Sequence, residues 1–413
     1  MSRGGKTVVV VGGGLAALRA CEGLRAHGFD GSIVLCGDEP HLPYDRPPLS
    51  KQFLAGTWEL DRVMLRPRGA IEKLGLDLRF GPDFAARALD LDHRRVRLAS
   101  GEEVSFDGLV IATGAAPRRL PGLSELSCAH VLRTIDDAGR LRGVLVAGAT
   151  LLVVGAGFIG LEVAATARGS GVDVHVVDPL SRPLGRVLGD ELGAVAEAIH
   201  RDHKVAFHLG TTVTAAEERG DGRALVRLSD GTRLEVDAIV VGIGVAPSVG
   251  WLEESGLNAG PDGVVCDASL VAAPGVVAAG DLARFPLASV TTGTVRVEHR
   301  TTAAELGEHA AKSLFAELGG GEPPAVRSTF ETVLYVWSDQ YDTKMQILGH
   351  PEPDDEVVVV DGTLESRRFA ACYGRAGRLA GVVAFGRPRI LMRFRSLLAR
   401  GASFEEALHL DLG

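Results

Sequence analysis

The chain has few cysteines, and their spacing is as informative as their number. Its 413 residues hold five cysteines, none of which forms a C-x-x-C or C-x-x-x-x-C pair. No cysteine lies between Pro40 and Phe53, where a reactive thiol would follow the first predicted βαβ unit. The pattern excludes a redox-active dithiol and argues against a zinc or iron–sulfur centre within the chain. We predict buried structural thiols at Cys21, Cys36, Cys128, Cys266 and Cys372.

Two further features are missing from the sequence. Glu162 interrupts the longest apolar run, so no segment is predicted to span a bilayer. The net charge is −9, which argues against a general nucleic-acid binder. The apolar run after Arg3 and Lys6 superficially resembles a signal peptide, but we interpret it as a strand, a loop and a helix. We therefore expect a cytosolic protein with neither a membrane nor a nucleic acid as its partner.

Two glycine fingerprints are the most informative feature that is present. The first, G-x-G-x-x-A, contains Gly12 and Gly14, and the second, G-x-G-x-x-G, contains Gly155, Gly157 and Gly160. Each follows an apolar run and precedes an alanine-rich stretch, as a strand–turn–helix unit requires. The first glycine makes the tight turn, the second lets a pyrophosphate approach, and the third position allows close helix–strand packing. The chance alternative is two helix–turn elements that merely happen to be rich in glycine.

An acidic residue is expected about 20 residues later, at the end of the next strand, to bind a ribose hydroxyl. The first fingerprint is followed by Asp38 or Glu39, and the second by Asp178. The chain thus contains the same series twice: a strand, the glycines, a helix and an acidic residue. Two such sites predict two bound dinucleotides, and two dinucleotides indicate electron transfer between them.

The remaining pattern predicts an α/β fold of three domains. The apolar runs that end at Gly114 and Gly244 resemble each other, which favours an internal duplication of a Rossmann-like domain. After the linker Gly319–Pro324 come five short alternating runs and two helices, at about 389–400 and 404–410, which are typical of an antiparallel α+β domain. We predict a first dinucleotide-binding domain at 1–117 and 245–320, a second at 118–244, and a C-terminal α+β domain at 325–413.

Six short motifs, in order along nearly the whole chain, resemble one known family. They are R-P-P-L-S-K at Arg46–Lys51, A-T-G at 112–114, L-R-T at 132–134, G-F-I-G-L-E at 157–162, G-D at 280–281 and W-S-D-Q at 337–340. The family is the FAD-dependent NADH:ferredoxin reductases of bacterial oxygenase systems, of the putidaredoxin reductase and rubredoxin reductase type. The apoptosis-inducing factors belong to the same superfamily.

The resemblance implies a glutathione-reductase-like fold, FAD as a bound cofactor, and NADH as the electron donor. Electrons would pass from NADH through FAD to a [2Fe–2S] ferredoxin that serves a monooxygenase such as a cytochrome P450. Two alternatives stay open. One is an NADH-dependent reductase of a small acceptor, such as a quinone, a radical or oxygen. The other is a redox-sensing flavoprotein that resembles apoptosis-inducing factor. We expect a monomer or a weak dimer.

The resemblance also implies residues that bind FAD. Asp38 would bind the adenosine ribose and Asp281 a ribityl hydroxyl, although Asp281 could instead form a turn. Lys51 would place a cation beside the flavin ring, and the alternative is a solvated loop lysine after a helix that starts at Ser50. Trp337 would shield the flavin, unless it is a core tryptophan. The full FAD set is Gly12, Gly14, Leu15, Ala16, Asp38, Arg46, Lys51, Phe84, Thr113, Gly114, Arg133, Gly280, Asp281, Arg300 and Trp337.

The residues implied for NADH surround the second fingerprint. Glu162 would approach the nicotinamide and pair with Lys51, or it would merely stabilise the first turn of its helix. Asp178 favours NADH over NADPH because a carboxylate repels a 2′-phosphate. Arg182 and Arg186 lie a little downstream, so NADPH is less favoured but not excluded. The full set is Gly155, Gly157, Phe158, Ile159, Gly160, Glu162, Asp178, Arg186 and Gly244.

Some residues depart from the family pattern, and one segment is unusually basic. In the family pattern, an apolar or aromatic residue stands in place of Arg300, and an asparagine stands in place of Thr302 and of Gly386. These positions bear on the identity of the electron acceptor. The stretch 387–400 holds five arginines and no acid. Its apolar residues fall at helical spacing, so Arg389, Arg393 and Arg400 are predicted to face outward. Arg389 and Arg393 are candidates for docking an acidic ferredoxin, and the alternative is an ordinary solvated helix face.

Overall fold

The computed structural model describes residues 5–288, 293–319 and 328–412. They form two compact units. The first unit comprises Met1–Asp45, Met64–Ala116 and Ala246–Thr332, and the second comprises Arg46–Val63, Pro117–Val245 and Val333–Gly413. Apart from Gly319, the predicted linker lies outside the described residues. The division into three domains stays a prediction.

The first unit is built on a six-stranded sheet. Five neighbouring strands run parallel, and one edge strand is antiparallel to its neighbour. The central strand contains Val8, Val9, Val10 and Val11, which are at most 2% exposed, as expected for a parallel sheet covered on both faces. The strands, in order across the sheet, are Val271–Ala273, Val276–Ala278, Gly108–Ile111, Thr7–Val11, Ser32–Gly37 and Leu76–Phe80.

Two helices cover part of this sheet, and glycines let them approach each other closely. A Cβ atom on Gly307 would lie 2.3 Å from the carbonyl oxygen of Ala16, and one on Gly23 would lie 2.8 Å from the Cβ of Ala311. The helices are Leu15–Ala26 and Arg300–Glu317. The remaining helices of this unit are Arg68–Glu72 and the 3₁₀ turns Pro82–Phe84 and Gly250–Leu252.

Two small sheets complete the first unit. One is the meander Ala86–Asp90, Arg95–Leu98 and Glu103–Ser105, and the other is formed by Ala259–Gly260, Gly263–Val265, Ala283–Pro286 and Thr294–Arg296. The short strands Ala115–Pro117 and Val245–Pro247 lie where the chain passes from one unit to the other.

The second unit contains a parallel sheet of its own. Its strands, in order, are Ala206–Leu209, Asp173–Asp178, Thr150–Val154, Ala238–Val241 and Ala129–His130. A meander follows, formed by Val213–Glu218, Ala224–Leu228 and Arg233–Val236. The helices are Leu60–Val63, Ile135–Val144, Phe158–Gly169 and Gly185–Asp202, with a 3₁₀ turn at Pro47–Ser50. The predicted duplication of the Rossmann-like fold is thus present, one parallel sheet in each unit.

A five-stranded antiparallel sheet closes the second unit. Its strands, in order, are Tyr335–Gln340, Thr343–Gly349, Arg378–Phe385, Arg368–Arg375 and Glu356–Thr363. Three short helices follow, Pro388–Arg393, Arg395–Ala399 and Phe404–Leu408, instead of the predicted two, because the chain leaves the helix at Phe394. The spacing predicts that Ile390, Leu391, Phe394, Leu397 and Leu398 pack inward; the last four are buried, and Ile390 is half-buried. The predicted α/β fold class with a C-terminal α+β part is confirmed.

Candidate functional site

The first fingerprint lies at the carboxyl edge of the sheet of the first unit. Gly12 has a φ of +131°, and a Cβ atom there would lie 2.1 Å from the carbonyl oxygen of Ala112, so only glycine fits this turn. A Cβ atom on Gly14 would have no neighbour within 4 Å. The helix then begins at Leu15, with no acidic residue in its first turn. Open backbone before a helix N-terminus fits the pyrophosphate of a dinucleotide.

Further residues that the resemblance assigns to FAD lie at the same edge of the sheet. Thr113–Gly114 and Gly280–Asp281 follow two strands that run parallel to the fingerprint strand. The Thr113 hydroxyl donates to the carbonyl of Ser248 at 2.8 Å, and a Cβ atom on Gly280 would lie 3.0 Å from that of Ala16. Gly280 therefore lies beside the start of the fingerprint helix. Phe84 ends a 3₁₀ turn of the same unit and is half-buried.

Asp38 and Glu39, the two acids left open after the first fingerprint, lie in different surroundings. Asp38 directly follows the strand Ser32–Gly37 and is exposed. The carboxylate of Glu39 accepts a hydrogen bond from the hydroxyl of Tyr44. Asp38 is therefore the more accessible ligand for a ribose hydroxyl.

The second fingerprint repeats the geometry of the first. Gly155 has a φ of +108°, with a prospective Cβ 2.4 Å from the carbonyl oxygen of Gly242, and Gly157 has no neighbour within 4 Å. A Cβ on Gly160 would lie 2.1 Å from the carbonyl oxygen of Gly155, so the helix packs directly on the turn. As at the first fingerprint, the open backbone at the N-terminus of the helix Phe158–Gly169 fits a pyrophosphate.

Asp178 ends the next strand and is bound to the fingerprint itself. Its carboxylate accepts from the backbone N–H groups of Ala156 at 2.7 Å and Leu180 at 2.8 Å. A negative charge is therefore fixed beside the second turn. Of the two downstream arginines, Arg182 is paired with Glu197 at 3.0 Å, whereas Arg186 is exposed on its helix.

A buried ion pair joins Lys51 to Glu162. The Nζ–Oε2 distance is 2.6 Å, and the side chains are 10% and 6% exposed. The hydroxyl of Ser50 also donates to Oε2 of Glu162, and that of Ser338 donates to Oε1 at 2.6 Å. Three donors therefore surround one carboxylate. The sequence predicts the ion pair through the resemblance but gives no reason to select Ser50 or Ser338.

Two local predictions about this pair are wrong. No helix starts at Ser50, because Pro47–Ser50 forms a 3₁₀ turn that ends there. Glu162 is the fifth residue of its helix, and the first turn has no acid. The interpretation as a first-turn residue that complements the helix dipole therefore fails. The hydroxyl of Thr166 donates to the carbonyl of Ser50 at 2.8 Å and fixes the 3₁₀ turn on this helix.

Three other proposed FAD residues lie in the second unit. The Arg46 guanidinium donates to the carbonyl of Arg133 at 2.5 Å. Trp337 is half-buried, and its ring stacks on that of Tyr335 with centroids 5.8 Å apart. Trp337 is thus not a fully enclosed core tryptophan.

The three residues that depart from the family pattern, Arg300, Thr302 and Gly386, each lie in surroundings that suit them. Nε of Arg300 lies 2.7 and 2.9 Å from the two carboxylate oxygens of Asp45. Thr302 is buried, at 1% exposed, in the helix that Arg300 begins. Gly386 has a φ of +61°, a left-handed conformation that glycine and asparagine both adopt, which explains how glycine can stand for asparagine.

All five cysteines are free and buried, as predicted. Burial raises the pKa of the thiols of Cys21, Cys36, Cys266 and Cys372 to about 12. A thiol with so high a pKa stays protonated at neutral pH and is a poor nucleophile.

The basic C-terminal segment is partly neutralised by acids. Arg387 pairs with Asp361 at 2.9 Å, and Arg400 pairs with Glu406. Arg389 and Arg393 are exposed. The prediction that Arg389, Arg393 and Arg400 face outward agrees with their exposure.

No helix in 5–288, 293–319 or 328–412 is both long and apolar enough to cross a membrane. The chain matches the pyridine nucleotide-disulphide oxidoreductase family over residues 6–307 and the reductase C-terminal family over residues 335–412. It is 36% identical to rhodocoxin reductase of Rhodococcus erythropolis over 398 residues, which are 95% of this chain and 89% of the relative.

Solved structures agree with this match. The reductase in the covalent putidaredoxin reductase–putidaredoxin complex is 32% identical, with a TM-score of 0.90 over 98% of this chain and 96% of that one. A ferredoxin reductase for the CYP199A2 system of Rhodopseudomonas palustris is 33% identical, with a TM-score of 0.87 over 98% of both chains. The chain therefore belongs to the pyridine nucleotide-disulphide oxidoreductase family, as an NADH-dependent flavoprotein oxidoreductase that uses FAD.

Proposed function

We propose that this enzyme passes electrons from NADH through FAD to a [2Fe–2S] ferredoxin that serves a monooxygenase such as a cytochrome P450. The observation that carries the proposal is the repeated dinucleotide turn, once in each unit, together with a buried lysine–glutamate pair in the second unit. FAD supplies the redox chemistry, since it accepts two electrons from a nicotinamide and releases them singly. The likeness to a reductase of a CYP system favours a P450 as the final acceptor.

The first unit holds the adenosine and pyrophosphate of FAD in this proposal. The open backbone at Gly14 and the free N–H groups from Leu15 onward receive the phosphates. Asp38 binds the ribose, and Asp281 binds a ribityl hydroxyl. The other FAD contacts that we propose are Gly12, Ala16, Phe84, Thr113, Gly114, Gly280 and Arg300, and Arg46, Lys51, Arg133 and Trp337 keep the roles given by the resemblance.

The second unit holds NADH in the same manner. Gly155 and Gly157 receive the pyrophosphate, with Phe158, Ile159, Gly160, Arg186 and Gly244 around it. The carboxylate of Asp178 accepts two backbone hydrogen bonds, which hold it in place where the ribose would bind. A 2′-phosphate would meet that charge, and NADH is therefore preferred to NADPH. Arg182 is already engaged by Glu197, which also pairs with Arg201 at 2.7 Å.

The Lys51–Glu162 pair positions the nicotinamide. The side chain of Glu162 leaves the second fingerprint helix one turn after the pyrophosphate turn, and Lys51, Ser50 and Ser338 hold its carboxylate still. Neither residue needs to transfer a proton or attack the substrate, because the chemistry belongs to the cofactor. The two residues act by orienting the nicotinamide and by electrostatic stabilisation.

The ferredoxin docks near Arg389 and Arg393. Both are exposed cations in a protein of net charge −9, so they would steer an acidic partner to one face. We also place the enzyme in the cytoplasm, as a monomer or a weak dimer. Five free buried thiols suit a reducing compartment.

A stopped-flow titration tests the function. The holoenzyme is mixed with NADH and, separately, with NADPH, and bleaching of the flavin band is followed. Steady-state cytochrome c reduction is then measured with and without an acidic [2Fe–2S] ferredoxin. We expect rapid bleaching by NADH and cytochrome c reduction that depends on the ferredoxin. Equal turnover with a quinone and no ferredoxin would instead identify a small-acceptor reductase. Slow reduction with dimerisation on NADH addition would identify a redox sensor.

A further inference from the structure

A continuous chain of buried side chains extends away from Glu162. Oγ of Ser338 donates to Oε1 of Glu162 at 2.6 Å, and Nε2 of Gln340 donates to Oγ of Ser338 at 3.0 Å. Oε1 of Gln340 lies 2.9 Å from Nε2 of His200, and Nδ1 of His200 lies 3.2 Å from the hydroxyl of Tyr341. Glu162, Ser338, Gln340 and His200 are at most 5% exposed.

The carboxylate fixes the direction of every hydrogen bond in the chain. A carboxylate only accepts, so Ser338 must donate its single proton to Glu162. The hydroxyl oxygen of Ser338 must then accept from the amide nitrogen of Gln340. The amide oxygen therefore faces His200, whose Nε2 carries the proton, and Nδ1 accepts from Tyr341. Each donor points towards Glu162, and hydrogen bonds aligned in this way polarise and strengthen one another.

The far end of the chain is also held in place. The ring of Tyr341 stacks on that of His203, with centroids 3.5 Å apart and planes 7° from parallel. Nδ1 of His203 donates to the carbonyl of Ile199 at 2.9 Å, within the helix Gly185–Asp202. Burial lowers the pKa of His200 to about 4, so this ring is neutral at pH 7, as an acceptor at Nδ1 requires.

Gln340 determines what such a chain can do. A primary amide does not exchange its protons readily, so it interrupts any proton relay between His200 and Ser338. The same amide holds its neighbours in a fixed geometry, because its donor nitrogen and acceptor oxygen lie in one plane, on opposite sides of the amide carbon. The chain therefore orients groups and does not carry protons.

We infer that Ser338 is a positioning residue for Glu162, and that Gln340, His200 and Tyr341 keep its hydroxyl aimed at the Glu162 carboxylate. The inference rests on the role proposed above for the Lys51–Glu162 pair at the nicotinamide. Lys51 and Ser50 both bind Oε2, so of the donors to Glu162 in the described residues Ser338 alone binds Oε1 and fixes the rotation of the carboxylate plane.

Substitution of Ser338 tests the inference directly. In the holoenzyme, S338A should lower the limiting rate of flavin reduction at saturating NADH about tenfold, as expected when a reacting geometry loosens. The dissociation constant of NAD⁺, measured by isothermal titration calorimetry, should change less than twofold. S338T keeps the hydroxyl and should retain most of the rate. S255A is the control, since Ser255 is also buried and donates to the carbonyl of Leu252 at 2.7 Å.

Two substitutions of Gln340 test the direction of the chain, even if S338A does not fold. In Q340E, followed from neutral to alkaline pH, the new carboxylate accepts the proton of Ser338 once it is ionised and turns that hydroxyl away from Glu162. In Q340M, Ser338 loses a donor but still donates to Glu162. We therefore expect Q340E to lose rate about tenfold as its carboxylate ionises, and to lose more than Q340M does.

The outcomes separate this inference from the function on which it rests. If NADH does not bleach the flavin of the wild-type protein, the proposed function fails. If wild-type bleaching is rapid but S338A matches S255A, or Q340E matches Q340M, the positioning role alone is overturned.

Discussion

Three side chains donate to the buried carboxylate of Glu162. An isolated buried carboxylate is expensive, and a buried pair is tolerated only when further hydrogen bonds satisfy the remaining lone pairs. Lys51, Ser50 and Ser338 together provide such an environment. The pair is therefore better explained by the orientation that it provides than by any gain in stability.

Breaking this pair from one side should cost more than removing both charges. K51M leaves Glu162 buried with only hydroxyl donors, so we expect a loss of about 3 kcal/mol in the free energy of unfolding. The double variant K51M/E162Q should recover part of that loss, because the amide carries no charge. Urea denaturation of the holoenzymes measures both effects. A double variant no more stable than K51M would contradict this expectation.

His200 should make the second unit sensitive to acid. Its pKa is lowered by burial to about 4, against an ordinary value of 6.5, so the unfolded chain binds a proton more readily than the folded chain. The stability that the neutral ring contributes is complete above pH 6.5 and is lost as the pH falls towards 4. Between pH 7.5 and 5, we expect the thermal midpoint of the wild type to fall more than that of H200Q. Because His175 and His208 also have lowered pKa values, the comparison with H200Q isolates the effect of His200. Parallel pH profiles for the two proteins would contradict this assignment.

The two fingerprint turns separate the glycines that build the fold from those that leave room for a ligand. Gly155 has a positive φ and a carbonyl 2.4 Å from its prospective Cβ, whereas Gly157 opens to free space. The same contrast holds for Gly12 and Gly14. Within each loop, the two glycines therefore have different roles, although they are only two residues apart.

Alanine substitutions should show this contrast. G157A should fold with a nearly unchanged thermal midpoint but bind NAD⁺ at least about tenfold more weakly, because the new methyl stands where the phosphate approaches. G155A should lose stability, because alanine is strained at a φ of +108° and collides with Gly242. Calorimetric titration with NAD⁺ and thermal melts measure the two effects. If G157A binds NAD⁺ normally, this turn does not hold the pyrophosphate.

The sequence predicts elements well where their signals are local. Strand, glycines, helix and acid lie within 30 residues of one another at both fingerprints, so the turns and their sheets can be read from the chain. The Glu162 environment has no such signal, since Lys51 lies 111 residues and Ser338 lies 176 residues away along the chain. The W-S-D-Q motif draws attention to Trp337, but the alternation of a strand places Ser338 and Gln340 on the opposite face. Nothing in the sequence singles out His200.

The charge of the whole molecule is negative, yet its C-terminal segment exposes cations. Net charge sets how the protein repels or attracts partners at long range, and a local patch of the opposite sign sets where an acidic partner lands. Arg387 and Arg400 pair with acids of the same unit. Arg389 and Arg393 are exposed, and Arg393 donates to the backbone carbonyl of Asp411 at 3.1 Å; these two are the cations that we assign to docking.

Charge reversal at these two arginines should weaken the ferredoxin step and spare the nicotinamide step. In R389E/R393E we expect the kcat/KM for an acidic ferredoxin to fall about tenfold or more at low salt, and the difference from the wild type to shrink as added salt screens the charges. Flavin bleaching by NADH should be unchanged, because the substituted side chains take no part in nucleotide binding. R97E is the control, an exposed arginine on the meander of the first unit. Steady-state cytochrome c reduction across a range of ionic strength measures all three proteins. If R97E lowers kcat/KM as much as R389E/R393E does, the effect is one of net charge and the docking face lies elsewhere.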